Sequence, residues 1–372
     1  MAFATRVIGA DFDELTRSKL KIFLSVDIVG STALKQRGRV FELPDGVDEG
    51  PEFVNGDWLR FLTSFYKDFP YRLVDAFGDI RDQRAKGTSL ESGRSPRPPL
   101  LWKALGDELI FSAELRGLGD AALHLEALAT AINTSVGFWT EASCPLPVSF
   151  KGTAWVAGFP LGNSEIPMTA GEAGRALNEK GIGDDCCDYS GPAMDIGFRL
   201  AKFATPRRLI ISAELADLVI SDGRLRKGFR VEEPAELKGV LRGRPYPVFW
   251  FDCYSLPMAV RESELALFED QMFGRTEVTS ATAASYLAAW FKTVGEWECY
   301  SRPFIFDLPD HGDRIPADYN QLKAQVVDQL RRIYKPTEAE EPGGDSSAGD
   351  AKAERLASIP PPANPERMDG GD

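Results

Sequence analysis

KIFLSVDI, Lys21 to Ile28, followed at once by VGST, Val29 to Thr32, is the stretch that decides the fold. Its β-branched and aromatic residues predict a strand, and the VGST that follows suits a tight turn into a helix. The next apolar periodicity, Trp58, Leu59, Phe61, Leu62, Phe65 and Phe69, has helical spacing. Two stretches beside it, Gly38 to Gly56 and Gly78 to Pro99, are expected to be loops, because RSPRPP in the second forbids helix and disfavours a central strand.

Further along, Leu100 to Leu105 and Glu108 to Ala113 predict two strands meeting at Gly106-Asp107. Leu118 to Thr140 is then helical, Val148 to Ala157 a strand, and Gly191 to Phe203 a short helix. Further strands are expected at Arg207–Ser212, Phe229–Glu233, Glu236–Val240 and Tyr246–Phe251. The order β-α-β-β-α-β is that of the α+β, ferredoxin-like split βαβ arrangement, with an antiparallel central sheet. Past Leu256 the composition turns to Ala, Glu and Leu at helical spacing, as in Ser285–Tyr300 and Asp318–Tyr334. From Pro336 to Asp372 no aromatic occurs and 11 of 37 positions are Gly or Pro, so a solvated acidic tail is expected there. The expected domains are therefore 1–256, a helical extension 257–335, and the tail 336–372.

Composition narrows the function classes. Over 372 residues, 43 Lys+Arg stand against 56 Asp+Glu, and the net charge of −13 argues against a nucleic-acid partner. The five cysteines (Cys144, Cys186, Cys187, Cys253, Cys299) form no CxxC pair, and His124 and His311 are the whole histidine complement, which argues against a Cys/His zinc site. The cysteines read as reduced thiols. The opening MAFATRVIGADFDELTRSKLK carries acids where a signal peptide would carry an apolar core, and Ala281 to Phe291 is too short to span a bilayer. A cytoplasmic protein without a membrane partner is expected.

Asp27 closes the first strand and Asp107 sits at the hairpin tip, so a β-α-β-β sheet can bring both carboxylates to one end. Such a pair, with no histidine nearby, suits two hard divalent cations, Mg²⁺ or Mn²⁺, and phosphoryl chemistry. The Val29–Thr32 turn offers main-chain amides to phosphate oxygens, although Ser31 or Thr32 also fits an ordinary helix cap. No GK[ST] occurs, which excludes a P-loop. Alternation places Lys103 on the Asp107 face of its strand and Phe23 on the Asp27 face of the first; Lys103 fits a contact to a ligand's far end or a solvated charge, and Phe23 a contact to a base or an ordinary core position. Asp195 and Arg199 share a helix face at i, i+4. That spacing fits either a surface ion pair or an arginine fork on phosphate beside a polar group fixing the sugar. Lys238 fits a strand-edge charge.

Together, DIVGST (Asp27–Thr32), KALGD (Lys103–Asp107), YSGPAMDIGFRLA (Tyr189–Ala201) and ELKG (Glu236–Gly239) resemble, in order, the motif blocks of class III nucleotide cyclases over about residues 20–255. The resemblance implies that Asp27 and Asp107 bind two metal ions with help from the Ile28 carbonyl, and that the turn Val29, Gly30, Ser31, Thr32 binds triphosphate. It also implies that Arg199 stabilises the transition state, that Lys238 contacts the terminal phosphates, and that the sites are shared across a homodimer. Asp195 departs from the family's usual ribose-orienting Asn, since a carboxylate cannot donate. Lys103 and Asp188 occupy the slots of the Lys/Asp pair that reads adenine in adenylate cyclases.

The DIVGST start, the insertions at 38–56 and 78–99, the GDELIF continuation and the helical C-terminal region resemble a narrower group, the bacterial pyrimidine cyclases of Pycsar antiphage defence. That likeness implies formation of cyclic UMP or cyclic CMP, whereas the Lys103/Asp188 slots point to ATP; the expected order of substrates is UTP, then CTP, then ATP. The product would be a messenger for a separately encoded cyclic-nucleotide-binding effector. Two other classes remain open: a degenerate cyclase-fold module that only binds nucleotide or dimerises, and a palm-type polymerase or diguanylate cyclase relative. The GGDEF signature of the latter is absent.

Overall fold

The computed structural model describes residues 12–36, 39–40, 53–54, 56–86, 95–141, 148–167, 187–225, 228–255, 263–273, 278–298, 302–306 and 308–334. The strands are β1 (Lys19–Ile28), β2 (Arg39–Val40), β3 (Phe53–Val54), β4 (Leu100–Leu105), β5 (Glu108–Leu115), β6 (Phe150–Phe159), β7 (Ser164–Pro167), β8 (Cys187–Ser190), β9 (Arg208–Ile211), β10 (Phe229–Glu236) and β11 (Pro245–Asp252). The helices are α1 (Phe12–Thr16), α2 (Ser31–Gln36), α3 (Gly56–Ala85), α4 (Leu118–Glu141), α5 (Pro192–Leu200), α6 (Ala213–Asp222), α7 (Ser263–Met272), α8 (Ser280–Glu298) and α9 (Tyr319–Tyr334).

Seven strands form one sheet in the order β10-β11-β9-β6-β1-β5-β4, antiparallel throughout except where β6 meets β9. The segment β1-α3-β4-β5-α4-β6 has the ferredoxin-like arrangement, with β1 between β5 and β6. The expected α+β class with an antiparallel central sheet is what the chain adopts. β1 is central because both of its faces are covered. Leu20, Ile22, Leu24, Val26 and Ile28 enter the main core beneath α3 and α4, while Phe23 enters a second apolar cluster on the opposite face with Ile110, Trp155, Phe159, Tyr189 and Met194. Burial on both faces explains the near-continuous apolar run in KIFLSVDI.

Three expectations are corrected. Residues 78–85 are helix rather than loop, since α3 runs on to Ala85. Phe77 and Ile80 are buried and Arg84 pairs with Glu126 of α4 at 2.7 Å, which outweighs the ~1 kcal/mol that Gly78 costs a helix. Phe229–Glu233 and Glu236–Val240 are not two strands. A single strand, β10, runs to Glu236 with a register shift between Glu232 and Ala235, where Pro234 cannot donate to the ladder. Lys238 and Gly239 then lie in a turn, closed by the Val240 amide donating to the Leu237 carbonyl at 2.9 Å. Helix α6 was not anticipated, although its signals are in the sequence: Ser212 caps it by accepting from the Leu215 amide, and Gly223 ends it in the left-handed conformation.

The loop expected at 38–56 carries a short β2–β3 ladder and gives way to α3 at Gly56; its other residues, like 87–94 and the acidic tail from Pro336, lie outside the described residues. Of the C-terminal helices, α8 buries Ala283, Leu287 and Phe291 in the main core. Arg207, lying between Asp252 of β11 and Asp270 of α7 at 2.7 and 2.6 Å, ties α7 to the sheet. Among the described residues no helix is long and apolar enough to cross a membrane.

Candidate active site

At one end of the sheet, Asp27 on β1 lies in register between Glu108 of β5 and Lys151 of β6. Asp107 follows Gly106 in the tight turn between β4 and β5, where the φ of +71° at Gly106 is a conformation that a side chain would strain. The two aspartate-bearing turns are stitched together, because the Ile28 amide donates to the Asp107 carbonyl at 3.1 Å and the Val29 amide to the Ser149 carbonyl at 2.9 Å. The Ser31 hydroxyl donates to the Asp107 carboxylate, Lys35 approaches the same group at 3.6 Å, and the Tyr66 hydroxyl donates to the Gly106 carbonyl. Gly30 and Thr32 are exposed on this turn.

Electrostatics separate the acids. Burial pushes the Asp27 carboxyl above its ordinary range, against the pull of Lys151, whose ammonium lies 2.8 Å away, and the charge of Asp107 pushes it further up. Burial also pushes Asp107 up, but the hydrogen bonds from Ser31 and from its own main-chain amide, together with Lys35, outweigh this and hold it below the ordinary range. Glu108 is raised, chiefly by burial, while accepting from the Ser25 hydroxyl at 2.5 Å. Neither Glu108 nor Lys151 was singled out by sequence reasoning. Their place beside Asp27 follows from strand register, which no local motif encodes.

A second group forms around α5, which packs on β6. A Cβ on Gly197 would lie 2.2 Å from the Trp155 ring, so only glycine permits this approach. Arg199 donates through Nε to the Lys238 carbonyl and through Nη1 to the Asp195 carbonyl and carboxylate at 3.2 and 3.1 Å. Asp195, Arg199 and Lys238 are thus brought together. Among the described residues, no hydrogen bond or ion pair joins Arg199 to Asp27 or Asp107 in one chain.

The third group is Lys103 with Asp188, 2.6 Å apart. Asp188 also accepts from the Tyr189 amide at 2.9 Å, Trp102 donates to the Cys187 carbonyl at 3.0 Å, and Lys103 lies 4.6 Å from the Trp102 ring centroid. Phe23 is corrected here. It shares the Asp27 face as expected but is fully buried, with Trp102, Trp155 and Tyr189 centroids at 5.4, 5.5 and 5.0 Å, and offers no surface to a base.

The donor chemistry at the carboxylate end fits a hard dication. Among the described residues no three His, Cys, Asp or Glu groups converge to hold a metal. Asp27 and Asp107 would therefore supply two ligands, and main chain, water and phosphate oxygens the rest, as Mg²⁺ sites on phosphorylated substrates commonly do.

No family model matches the chain, and no curated protein does. Solved structures resemble it at a distance. The adenylyl cyclase CyaB from P. aeruginosa is 14% identical with a TM-score of 0.39, covering 63% of this chain and 94% of its own. The guanylate cyclase domain of RhGC from Catenaria anguillulae, in complex with GTP, is 8% identical with a TM-score of 0.40, covering 63% and 97%. A bacterial light-regulated adenylyl cyclase is 13% identical with a TM-score of 0.39, covering 68% and 98%.

Proposed function

We propose that this chain is a nucleotide cyclase that converts UTP to 3′,5′-cyclic UMP and pyrophosphate, with CTP the next candidate and ATP the third. The observation that carries the cyclase reading is the Asp27/Asp107 pair, locked across two turns by the Ile28–Asp107 main-chain bond at the end of a βαββαβ sheet. Two divalent cations bound there, Mn²⁺ or Mg²⁺, would lower the pKa of the attacking 3′-hydroxyl and neutralise the leaving pyrophosphate. The chain's own residues do the rest. Arg199, its Nε and Nη1 already occupied by Lys238 and Asp195, presents Nη2 to the phosphate at which charge develops, and Lys238 contacts the terminal phosphates. Asp195 accepts from a ribose hydroxyl.

Beside the Lys103–Asp188 pair the rings of Phe23, Trp102 and Tyr189 pack against one another, which makes the floor there aromatic and closed, and the resemblance to the pyrimidine cyclases supplies the choice of base. Composite sites in a homodimer are supported by the resemblance to class III cyclases, and among the described residues no bond within one chain joins Arg199 to Asp27 or Asp107. In this reading residues 1–256 form the catalytic domain, 257–335 a helical extension and 336–372 the tail. The resemblance to Pycsar cyclases supports a role in antiphage defence through a separate effector, in the cytoplasm.

The test is incubation of purified protein with Mn²⁺ and each of ATP, GTP, CTP and UTP, with products resolved by mass spectrometry beside an Asp107→Ala control. A cyclic pyrimidine monophosphate absent from the control bears the reading out. Cyclic AMP alone would replace it with an adenylate cyclase, and no product from any nucleotide would leave either a missing activating signal or a binding module.

A further inference from the structure

Three strands lay a row of charges across the carboxylate end of the sheet: Glu108 of β5, Asp27 of β1 and Lys151 of β6 are direct neighbours in register. The acids do not share one partner. Glu108 takes the Ser25 hydroxyl, Asp107 takes Ser31 and Lys35, and Asp27 takes the Lys151 ammonium at 2.8 Å. The Lys151 and Asp27 side chains keep 30% and 27% of their exposure, so the pair borders solvent and a cation can reach it.

Nothing in strand geometry asks for a lysine at this position, where a threonine or valine suits a half-buried strand better. Its effect is electrostatic, because it neutralises the middle carboxylate of a crowded acidic group. A dication that binds the Asp27 carboxylate at ~2.1 Å repels an ammonium held 2.8 Å from the same group, so the two cations compete for it. A lysine on its flexible four-carbon stem can swing away into water, which a rigid guanidinium fork does less readily.

We propose that Lys151 is an internal counter-ion that holds the Asp27 carboxylate until a divalent cation displaces it, so that Lys151 weakens metal binding at the site. The proposal rests on the reading of Asp27 as a metal ligand. It makes Lys151 a positioning residue that sets the metal concentration at which the site fills. Mn²⁺ thus competes with a residue of the chain itself, as well as with water.

Binding of Mn²⁺ alone to the full chain, followed through the electron paramagnetic resonance signal of the free ion, tests this without any turnover. Lys151→Met is expected to bind Mn²⁺ about 5-fold more tightly than the natural chain, the equivalent of losing one partly exposed ion pair. Lys151→Arg, which retains a cation, should bind no more tightly than the natural chain, and adding Asp27→Asn to Lys151→Met should remove the gain. Lys151→Gln repeats the comparison in case methionine disturbs β6. Asp27-dependent Mn²⁺ binding that is unchanged or weaker in both Lys151→Met and Lys151→Gln overturns the counter-ion role while leaving the metal site intact. Mn²⁺ binding that ignores Asp27 in every variant overturns the metal reading, and this proposal with it.

Discussion

Lys103 and Asp188, 85 positions apart in sequence, meet in an ion pair 2.6 Å long between β4 and the β7–β8 ribbon. With each side chain about one-third exposed, the pair contributes at most ~1 kcal/mol to stability, and its value lies in the polar edge it presents. If that edge reads the base, Lys103→Ala and Asp188→Ala should each change the order of preference among the four triphosphates more than they lower the best rate. Competition among the four in one tube, read by mass spectrometry, checks this. An unchanged order in both variants would sink the base-reading role.

Arg199 bonds to Asp195 and the Lys238 carbonyl, and among the described residues to neither metal-binding candidate, which leads to a mixing experiment. Asp27→Ala and Arg199→Ala proteins, each inactive alone by ~10²–10³-fold or more, should regain up to about a quarter of full activity when mixed and allowed to exchange subunits. Exchange is followed independently with differently tagged chains. No recovery despite proven exchange would mean that each chain completes its own site.

Gly197 faces the Trp155 ring so closely that an added Cβ would lie 2.2 Å from it. Gly197→Ala must therefore push α5 outward, at a cost of ~1–3 kcal/mol in a urea melt, and carry Arg199 away from the Lys238 carbonyl. Activity should fall further than the stability loss explains under conditions where the chain stays folded. A variant that melts and turns over like the natural chain would show that α5 tolerates displacement.

Stability should fall at acid pH through the Glu14–Arg17–Glu114 group. The Arg17 guanidinium holds the Glu14 carboxyl down from 4.5 to about 2, against burial and with help from Lys19. In Glu114 burial pushes up most strongly, but the Arg17 bond and charge together with the Arg116 charge outweigh it and hold the carboxyl below its ordinary range. Carboxyls depressed in the folded state stabilise it above their unfolded pKa, and that contribution is lost as pH falls through the folded values. Since Glu14 is half exposed, its contribution is only ~0.5–1 kcal/mol. The natural chain's lead over Arg17→Met in urea melts should shrink between about pH 5 and about pH 3. A constant lead would assign the effect of Arg17 to packing.

Cys253 is fully buried, and burial pushes its thiol up to about 12, so the reactive thiolate is scarce at neutral pH. Alkylation by iodoacetamide, located by peptide mass spectrometry, should miss Cys253 in the folded chain and reach it in urea. Labelling at equal rates in both states would contradict its burial.

What the sequence by itself determined is the strand-turn-helix at KIFLSVDIVGST, the βαββαβ order, and a short roll of polar residues with a chemical purpose. Those features are local: alternation, helical periodicity and turn residues act within a few positions of one another. Periodicity failed where packing overrode a breaker, as at Gly78 in α3, and where a proline turned two expected strands into one bulged β10. The same limit governed the site. Asp27 and Asp107 were legible as a pair because a hairpin and a neighbouring strand must share an edge. Only the tertiary structure decided that Lys151 and Glu108 flank Asp27, that Phe23 is sealed beneath three rings, and that Arg199 is held by the Lys238 carbonyl. Each of these depends on strand register or helix docking, and those are set by how the whole core closes rather than by any residue's neighbours in the chain.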